Sequence, residues 1–425
     1  MLAHSRSGST MNPSGIVALL SVTLFLCGCG GGSGGGSGGG SSSFSMARGI
    51  AVDSGGNIYV AGDTDGTLGD TSAGNFDMFV IKRDPGGSTQ WIQQFGSALY
   101  DTAQGISVDN WENVYVAGYT NYNPQNSTGV GDSLLVVKYD SSGTGQWYLI
   151  LGTNGDTGAN AVSTDNAGNV FVAGFTWDSV DGTTNAGRQD LFVIKIDGDG
   201  NELWSRQMGT SEDDYAIGVS VDRAGNSYVA GGTVGNLDGN ASAGGSDLFV
   251  IKFDSGGNKL WSRQMGTSAN DSPHAVATDS DGNVIVVGYT YGSMGGYANA
   301  GQMDLFVVKC DTDGNTLWSR QIGTPTWDSA NAVATDRDGN IYVAGESYGG
   351  LDGNINAGAW DLILVKFDGM GNKQWTRQLG GVGDEFANGV VTDGMGNIYA
   401  VGGSSSSAGY MDYLVVKYDS TGNRR

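Results

Sequence analysis

Short apolar runs, each closed by a polar turn rich in Gly, Asp and Asn, recur from about Ala47 to Arg425, and no helical period interrupts them. The stretch from Ile217 to Gly266 shows the pattern whole, with GVSVD, NSYVAGG, DLFVIKFD and LWSRQMG reading as four successive strands. The first joins the second, and the third joins the fourth, through D-x-x-G-N, as from Asp53 to Asn57, Asp336 to Asn340, Asp254 to Asn258 and Asp311 to Asn315. An Asp that accepts turn amides, followed by a Gly that takes positive φ, is the chemistry of a tight hairpin. Glu112 stands where that Gly is expected in the second unit, which predicts a different turn geometry there. Asp311, Asp313 and Asn315 also touch on a calcium loop, but the Gly comes too early and no bidentate Glu follows, so the turn reading is preferred.

Self-comparison fixes the architecture. The Lys that closes the third strand recurs at Lys82, Lys138, Lys195, Lys252, Lys309, Lys366 and Lys417, with gaps of 56, 57, 57, 57, 57 and 51. The Asn that opens the second strand recurs seven times, from Asn57 to Asn397, and a fourth-strand Trp six times, from Trp91 to Trp375. Seven four-stranded antiparallel units without a helix predict an all-β fold, a seven-bladed β-propeller. Aligning Thr421 to Arg425 on Gly256 to Leu260 stops one residue before a seventh Trp, so the seventh blade is expected to be incomplete unless residues near Ser41 to Met46 supply its last strand. The strand lysines are expected to send their ammonium groups toward nearby Asp.

The G-N-x-Y-V-A-G strand, the Tyr-Thr or Phe-Thr after it (Tyr119-Thr120, Phe175-Thr176, Tyr289-Thr290) and the D-L-F-V-x-K segment (Asp190 to Lys195, Asp304 to Lys309) resemble the bacterial seven-bladed β-propeller repeat (SBBP-type) lipoprotein family. That resemblance implies the fold and leaves activity open. The Trp after D-x-x-G-N also looks like the tryptophan-docking motif of quinoprotein propellers. The likeness implies an inner first strand, an outer fourth strand, and both D-x-x-G-N turns on one face; blade packing is the expected job of the Trp.

The amino terminus reads as an address. Ile16 to Leu26 is an eleven-residue apolar run, short for a membrane span and suited to a signal peptide. It leads into Leu26-Cys27-Gly28-Cys29, which resembles a bacterial lipoprotein box and implies an acyl anchor on Cys29. Residues 1–29 are thus expected to be a signal, 30–46 a Gly/Ser-rich tether of about 20 Å r.m.s. reach, and 47–425 the propeller. Gly30 is not the Asp associated with inner-membrane retention, which favours the outer membrane or cell surface. With Cys27 and Cys29 assigned to the leader, Cys310 has no disulfide partner.

Composition narrows the partner. Gly is 75 of 425 residues, about 18% against an ordinary 7% or so, which fits a fold that turns often. A net charge of −23 disfavours nucleic acid. Function is expected on the face opposite the D-x-x-G-N turns, where the longer second-to-third loops and the links between blades lie. Those links place Asp101, Asp156, Asp214, Asp271, Asp328 and Glu385, a ring expected to hold backbone amides or, failing that, a cation such as calcium. Just before the first strands stand residues that differ between blades: Arg48, Gln104, Asn160, Ile217, His274, Asn331 and Asn388. With Tyr119, Tyr122, Trp177, Tyr291, Tyr297, Tyr348 and Trp360 in the loops, the pattern favours a monomeric, non-enzymatic, lipid-anchored binding module for a protein, peptide or glycan, with no cofactor. A propeller enzyme, hydrolase, lyase or quinoprotein-like, is the alternative, with His274 and Asp271 as a conceivable acid–base pair. The layout of lipobox, tether and Trp-repeat propeller also resembles an outer-membrane assembly lipoprotein, which implies a scaffold as a third reading.

Overall fold

The computed structural model describes residues 44–69, 72–123, 130–180, 182–405 and 411–425. The leader, Cys29 and the tether up to residue 43 lie outside the described residues. Six antiparallel sheets have four strands in sequence order and a seventh has three, Glu385–Thr392, Ile398–Ser405 and Met411–Tyr418. The first strands of consecutive sheets are neighbours all the way round, and Ser45–Val52 closes the circle against Glu385–Thr392. The fold is a seven-bladed propeller whose last blade has three strands among the described residues. Ser45 and Met46 belong to the inner strand of the first blade, so they do not complete the seventh.

The core is seven seams rather than one centre. Each buried cluster joins two adjacent blades, from Met78 and Val80 against Leu135 and Val137 round to Phe79 and Ile81 against Tyr399 and Val401. Second strands such as Ser227–Thr233 are buried at every position, because both faces meet a neighbouring blade. This is why they read as unbroken apolar runs rather than alternating ones.

One contact recurs at six of the seven seams. The indole N–H of Trp204 donates to the Ser255 carbonyl in the next blade's turn at 3.1 Å, and the Lys195 ammonium donates to the same oxygen at 3.2 Å. Trp261 and Lys252 share the Thr312 carbonyl in the same way, and Trp318 and Lys309 share that of Gly369. The lysines therefore serve mainly the neighbouring turn, not an Asp. The carboxylate is reached where the second-strand Tyr is replaced: Lys195 lies 3.4 Å from Asp165 beside Phe171, and Lys309 lies 2.8 Å from Asp279 beside Ile285. Elsewhere the phenol intervenes, as when Tyr59 donates to Asp53 at 2.9 Å with Lys82 over its ring. Burial and that Asp push the Tyr59 phenol far above its ordinary range.

The turn glycine makes the indole contact possible. At Gly257, φ is +80° and a Cβ would sit 2.6 Å from the Trp204 ring. The second blade departs from expectation: Glu112 adopts φ 61° and keeps the same turn, its N–H bonded to Asp109 O at 3.0 Å as the glycines are. Its carboxylate gains Lys82 of the preceding blade at 3.2 Å, which offsets the strain.

Removing the half-buried Trp204 indole with Trp204→Ala should cost about 3 kcal/mol in urea unfolding. Gly257→Ala should cost about 1–3 kcal/mol, and less when Trp204 is already Ala, since only the φ strain then remains. Additive costs in the double-mutant cycle would contradict the stacked geometry.

Candidate functional site

The two ends of the ring differ in how much of their polar chemistry is already used. At the turn end, Asp53 Oδ1 accepts from Gly55 N and Asn57 N at 2.9 Å, while Oδ2 takes Asn57 Nδ2 and Tyr59 Oη. Asp109, Asp222, Asp336 and Asp393 repeat this arrangement. Asp311 likewise holds Asp313 N, Asn315 N and Asn315 Nδ2, as a hairpin requires. A concavity of about 400 Å³ opens at this end between Asp53, Asp222, Asp336, Arg223 and Arg337. Its carboxylates are committed to turns, so its size gives it little chemistry of its own.

At the link end the acidic ring forms, with one displacement. Asp101, Asp214, Asp271, Asp328 and Glu385 open equivalent inner strands and are buried, but Asp156 is exposed and Thr157 fills its place. The link from the second to the third blade keeps the length of the others, but its strand position holds Thr157 and its acid stands one residue earlier, outside the strand. Each buried acid caps its own link: Asp328 accepts from Thr324 N at 2.6 Å, Thr324 Oγ1 at 2.8 Å and Ser347 Oγ, and Asp101 from Ser97 N at 2.6 Å. Burial raises Asp214, Asp271 and Asp328 above the ordinary carboxylate value.

The residues that vary between blades occupy one defined place, the β-bulge of each inner strand. Arg48, Gln104, Asn160, Ile217, His274, Asn331 and Asn388 are the residues skipped by the pairing with the second strand. A bulge takes a side chain out of the ladder and re-aims it. The glycine opposite is what admits it: a Cβ on Gly345 would lie 2.0 Å from Ser329 O. Three of these side chains tie one blade to the next, Asn160 Nδ2 to Ala216 O at 2.8 Å, Asn331 Nδ2 to Ala387 O at 3.1 Å and Asn388 Nδ2 to Ala47 O at 3.0 Å. Arg48 instead pairs with Asp63 at 2.8 Å.

Blades 5 to 7 concentrate the unusual chemistry. His274 Nδ1 donates to Asn331 Oδ1 at 3.0 Å, and the Tyr289 ring meets the imidazole edge-on at 5.1 Å. Burial lowers the His274 pKa, keeping the ring neutral at neutral pH. Its partner is thus Asn331 rather than Asp271, which is occupied by Thr267 and Thr290. Glu346, on the second strand beside Asn331, has its carboxyl pushed up to about 7, first by burial and then by the charge of Asp384 against a hydrogen bond from Asn331. Around this floor stand three mutually packed rings, Trp327, Tyr348 and Trp360, with centroids 5.5 to 6.4 Å apart. Trp327 and Tyr348 remain 38% and 40% exposed.

Of the loop aromatics expected from sequence, Tyr122, Trp177, Tyr291, Tyr297 and Tyr348 are exposed, while Tyr119 and Trp360 are half-buried. Trp327 and Glu346 were not singled out. The signal for Glu346 is its departure from the aromatic-Thr pair of other repeats, where Tyr119, Phe175 and Tyr289 stand. Among the described residues no group of three or more His, Cys, Asp or Glu is placed to hold a metal ion. Cys310 is buried, and burial pushes its thiol up to about 11.

The beta-propeller repeat SBBP matches residues 40–70, 90–124, 203–238, 260–293, 317–352 and 374–410. The WD repeat-containing protein L264 of Acanthamoeba polyphaga mimivirus, itself uncharacterised, is 23% identical over 437 residues, 78% of this chain and 31% of L264. The regulatory protein FlaEY of Caulobacter vibrioides is 30% identical over 174 residues, 37% of this chain and 18% of FlaEY. The chain thus spans less than a third of either relative's length. Among solved structures, a PL25 ulvan lyase aligns with TM-score 0.52 at 10% identity, covering 89% of this chain and 94% of that one. The polysaccharide lyase Uly1 aligns with TM-score 0.50 at 9% identity, covering 88% and 90%. At such identities the likeness is one of fold. Six matched segments on a closed ring of seven blades establish that the chain belongs to the SBBP beta-propeller repeat family.

Proposed function

We propose that the chain is a binding module of the bacterial cell envelope, tethered to the outer membrane or cell surface by an acyl group on Cys29, which offers its link face to a glycan, peptide or protein. The observation that carries this reading is the cluster of Trp327, Tyr348 and Trp360, with Trp327 and Tyr348 exposed, at the same end of the ring as His274, Asn331 and Glu346. Flat rings offer large contact area at little entropic cost, and convergent polar groups beside them supply orientation. With a net charge of −23, the ligand is expected to be neutral or cationic rather than polyanionic. Monomeric action and independence from a cofactor are part of the same proposal.

A second reading is catalytic and rests on Glu346. A carboxyl near pKa 7, joined through Asn331 to a neutral imidazole, is suited to proton transfer in a hydrolase or lyase. One panel of neutral, cationic and anionic oligosaccharides and peptides, assayed for both binding and turnover, separates the two readings. Trp327→Ala and Trp360→Ala should each weaken the best ligand by about tenfold or more, whereas Trp111→Ala, 61% exposed at the turn end, should leave it unchanged. Equal losses at both ends would place the surface elsewhere, and turnover abolished by His274→Ala would decide for the enzyme.

The anchor has its own test: Cys29→Ser should eliminate acyl labelling and release the protein from membranes. Labelling that survives the substitution would refute the lipoprotein reading.

The raised Glu346 pKa also makes stability depend on pH. The folded state holds a proton that the unfolded chain, with a carboxyl near 4.5, has released. Stability from this group is therefore fully present below about 4.5 and is lost as pH rises through about 7. Glu346→Gln should flatten that interval and be more stable than the parent near pH 8, by up to about 3 kcal/mol. Asp214, Asp271 and Asp328 act with the same sign in both proteins, so the difference isolates Glu346. Parallel denaturation curves across the range would remove it as the titrating group.

A further inference from the structure

Five third strands open on an Asp that is buried to within 1% of completely: Asp77, Asp190, Asp247, Asp304 and Asp361. One oxygen of each is fully used. Asp247 Oδ2 accepts from Ala243 N and Gln264 Nε2, both at 2.8 Å, and Asp304 Oδ2 from Ala300 N at 2.7 Å and Gln321 Nε2 at 2.9 Å. The other oxygen, Oδ1, is buried without a hydrogen-bond partner in all five. A buried acceptor with no donor is rare in folded proteins, and one that recurs at the same place in five blades has a common cause. The glycine just after the fourth strand makes room for this oxygen: a Cβ on Gly209 would lie 2.1 Å from Asp190 Oδ1, and on Gly323 2.0 Å from Asp304 Oδ1.

Across the junction stands the acid that opens the next inner strand. From the third blade to the sixth these acids are Asp214, Asp271 and Asp328, all inaccessible to solvent. The point over Gly266 where a Cβ would stand is 2.0 Å from Asp247 Oδ1 and 2.9 Å from Asp271 Oδ2, so the two carboxyls meet there. Between the third and fourth blades, Asp190 Oδ1 and Asp214 Oδ1 both lack a partner. None of these six acids takes part in an ion pair among the described residues. Arg188 is engaged with Asp213 at 3.4 Å, and His274 with Asn331. The remaining contacts of the six are neutral, from main-chain amides, Gln side chains and Thr or Ser hydroxyls. Between the second and third blades both members change together: Ser133 holds the third-strand position and Thr157 the inner one. Asp132 and Asp156 there stand one residue earlier, still adjacent, with Asp132 N donating to Asp156 Oδ1 at 3.1 Å. The two positions act as a unit.

We propose that at these three junctions the facing carboxyls share one proton, the inner-strand acid donating its O–H to the third-strand Oδ1, so that a carboxyl–carboxylate hydrogen bond ties adjacent blades and the ring loosens in alkaline medium. Two like charges removed from water at close range cannot both ionise without a cation, and a proton taken from solvent is the smallest group that relieves them. Two carboxyls suffice for a proton, whereas calcium takes six to eight oxygen ligands. Burial first, and the charge of Asp190, Asp247 and Asp304 in addition, raise Asp214, Asp271 and Asp328 above the ordinary 3.8. The folded chain thus keeps a proton that the unfolded chain releases. Stability from each pair is fully present below 3.8 and is lost as pH rises through the raised value.

The test uses the whole protein carrying Glu346→Gln, which removes the other carboxyl held protonated by burial. Its infrared spectrum should keep a protonated-carboxyl band above about pH 5, where an exposed carboxyl is ionised. Asp214→Asn, Asp271→Asn and Asp328→Asn should each remove part of that band. The Asn amide donates to the facing Oδ1 at every pH, so the triple variant should lose less melting temperature than its parent between about pH 4 and pH 9. It should also release about three fewer protons on unfolding at the pH where the parent's band is still present. If the triple variant does not fold, the band in the Glu346→Gln protein decides by itself. Absence of that band above about pH 5, superimposable pH–stability curves for the triple variant and its parent, or a calcium-dependent gain in melting temperature that Asp271→Asn abolishes would each overturn the proposal.

Discussion

A blade that buries both of its faces cannot stand alone, and the contact that joins one blade to the next is a carbonyl shared by an indole and an ammonium group. Lys138 and Trp147 both donate to the Gly198 carbonyl, at 2.7 and 3.1 Å. A charge-assisted bond and a neutral one on a single oxygen, at the rim of an apolar seam, fix both the separation and the rotation of adjacent sheets. The D-x-x-G-N turn is the receiving half of this clasp, which explains its recurrence better than any ligand does. The Asp shapes the turn, the positive-φ Gly leaves room for the indole, and the carbonyl two residues before that Gly is what the neighbour holds.

That division of labour makes the two ends of the ring chemically unequal. Turn-end carboxylates are saturated by turn amides and phenols, so they have little left for a ligand. At the link end, the bulge on every inner strand releases one side chain per blade from the ladder, and the seven released residues range from Arg48 to Ile217 to His274. Blade spacing needs only a short amide at this position, as Asn160, Asn331 and Asn388 show. The concentration of His274, Glu346, Trp327 and Trp360 in blades 5 and 6 therefore exceeds what ring assembly asks for. This inequality leaves one face of the ring with side chains free of assembly duties.

The fold was legible because its determinants repeat: seven Lys, seven Asn and six Trp at near-constant spacing leave few other architectures. Single residues were legible only where the frame held. Asp156 is a ring member by sequence, yet the link before Thr157 has the same length as the others and Thr157 holds the acidic position, so Asp156 stands one residue outside the strand; one residue along a strand is the opposite face. Glu112 was expected to change its turn, but the seam imposes the turn and a non-glycine residue accepts positive φ. His274 was paired with Asp271 by closeness in sequence, whereas a bulge sends it across to Asn331 in the next blade. Glu346 and Trp327 carry no motif, and their meaning arises from burial and from rings contributed by distant loops.

The seam between the seventh and first blades shows how far the clasp can be relaxed. Among the described residues it has no indole, and its polar ties there are Asn388 to Ala47 O and Arg83 to the Tyr413 hydroxyl at 2.8 Å. Its apolar cluster is nonetheless complete at the inner strands, with Ala47, Ile50, Val60, Phe79 and Val401 all buried. Closure of the ring thus rests on inner and middle strands, while the outer strand and its Trp stiffen the periphery. An opening that begins at this seam would part the pair of blades with the fewest ties among the described residues, without disturbing the other six seams. It would leave blades 5 and 6, where the candidate site lies, held by intact clasps on both sides, so the weakest point of the ring and its most specialised surface are mechanically separate.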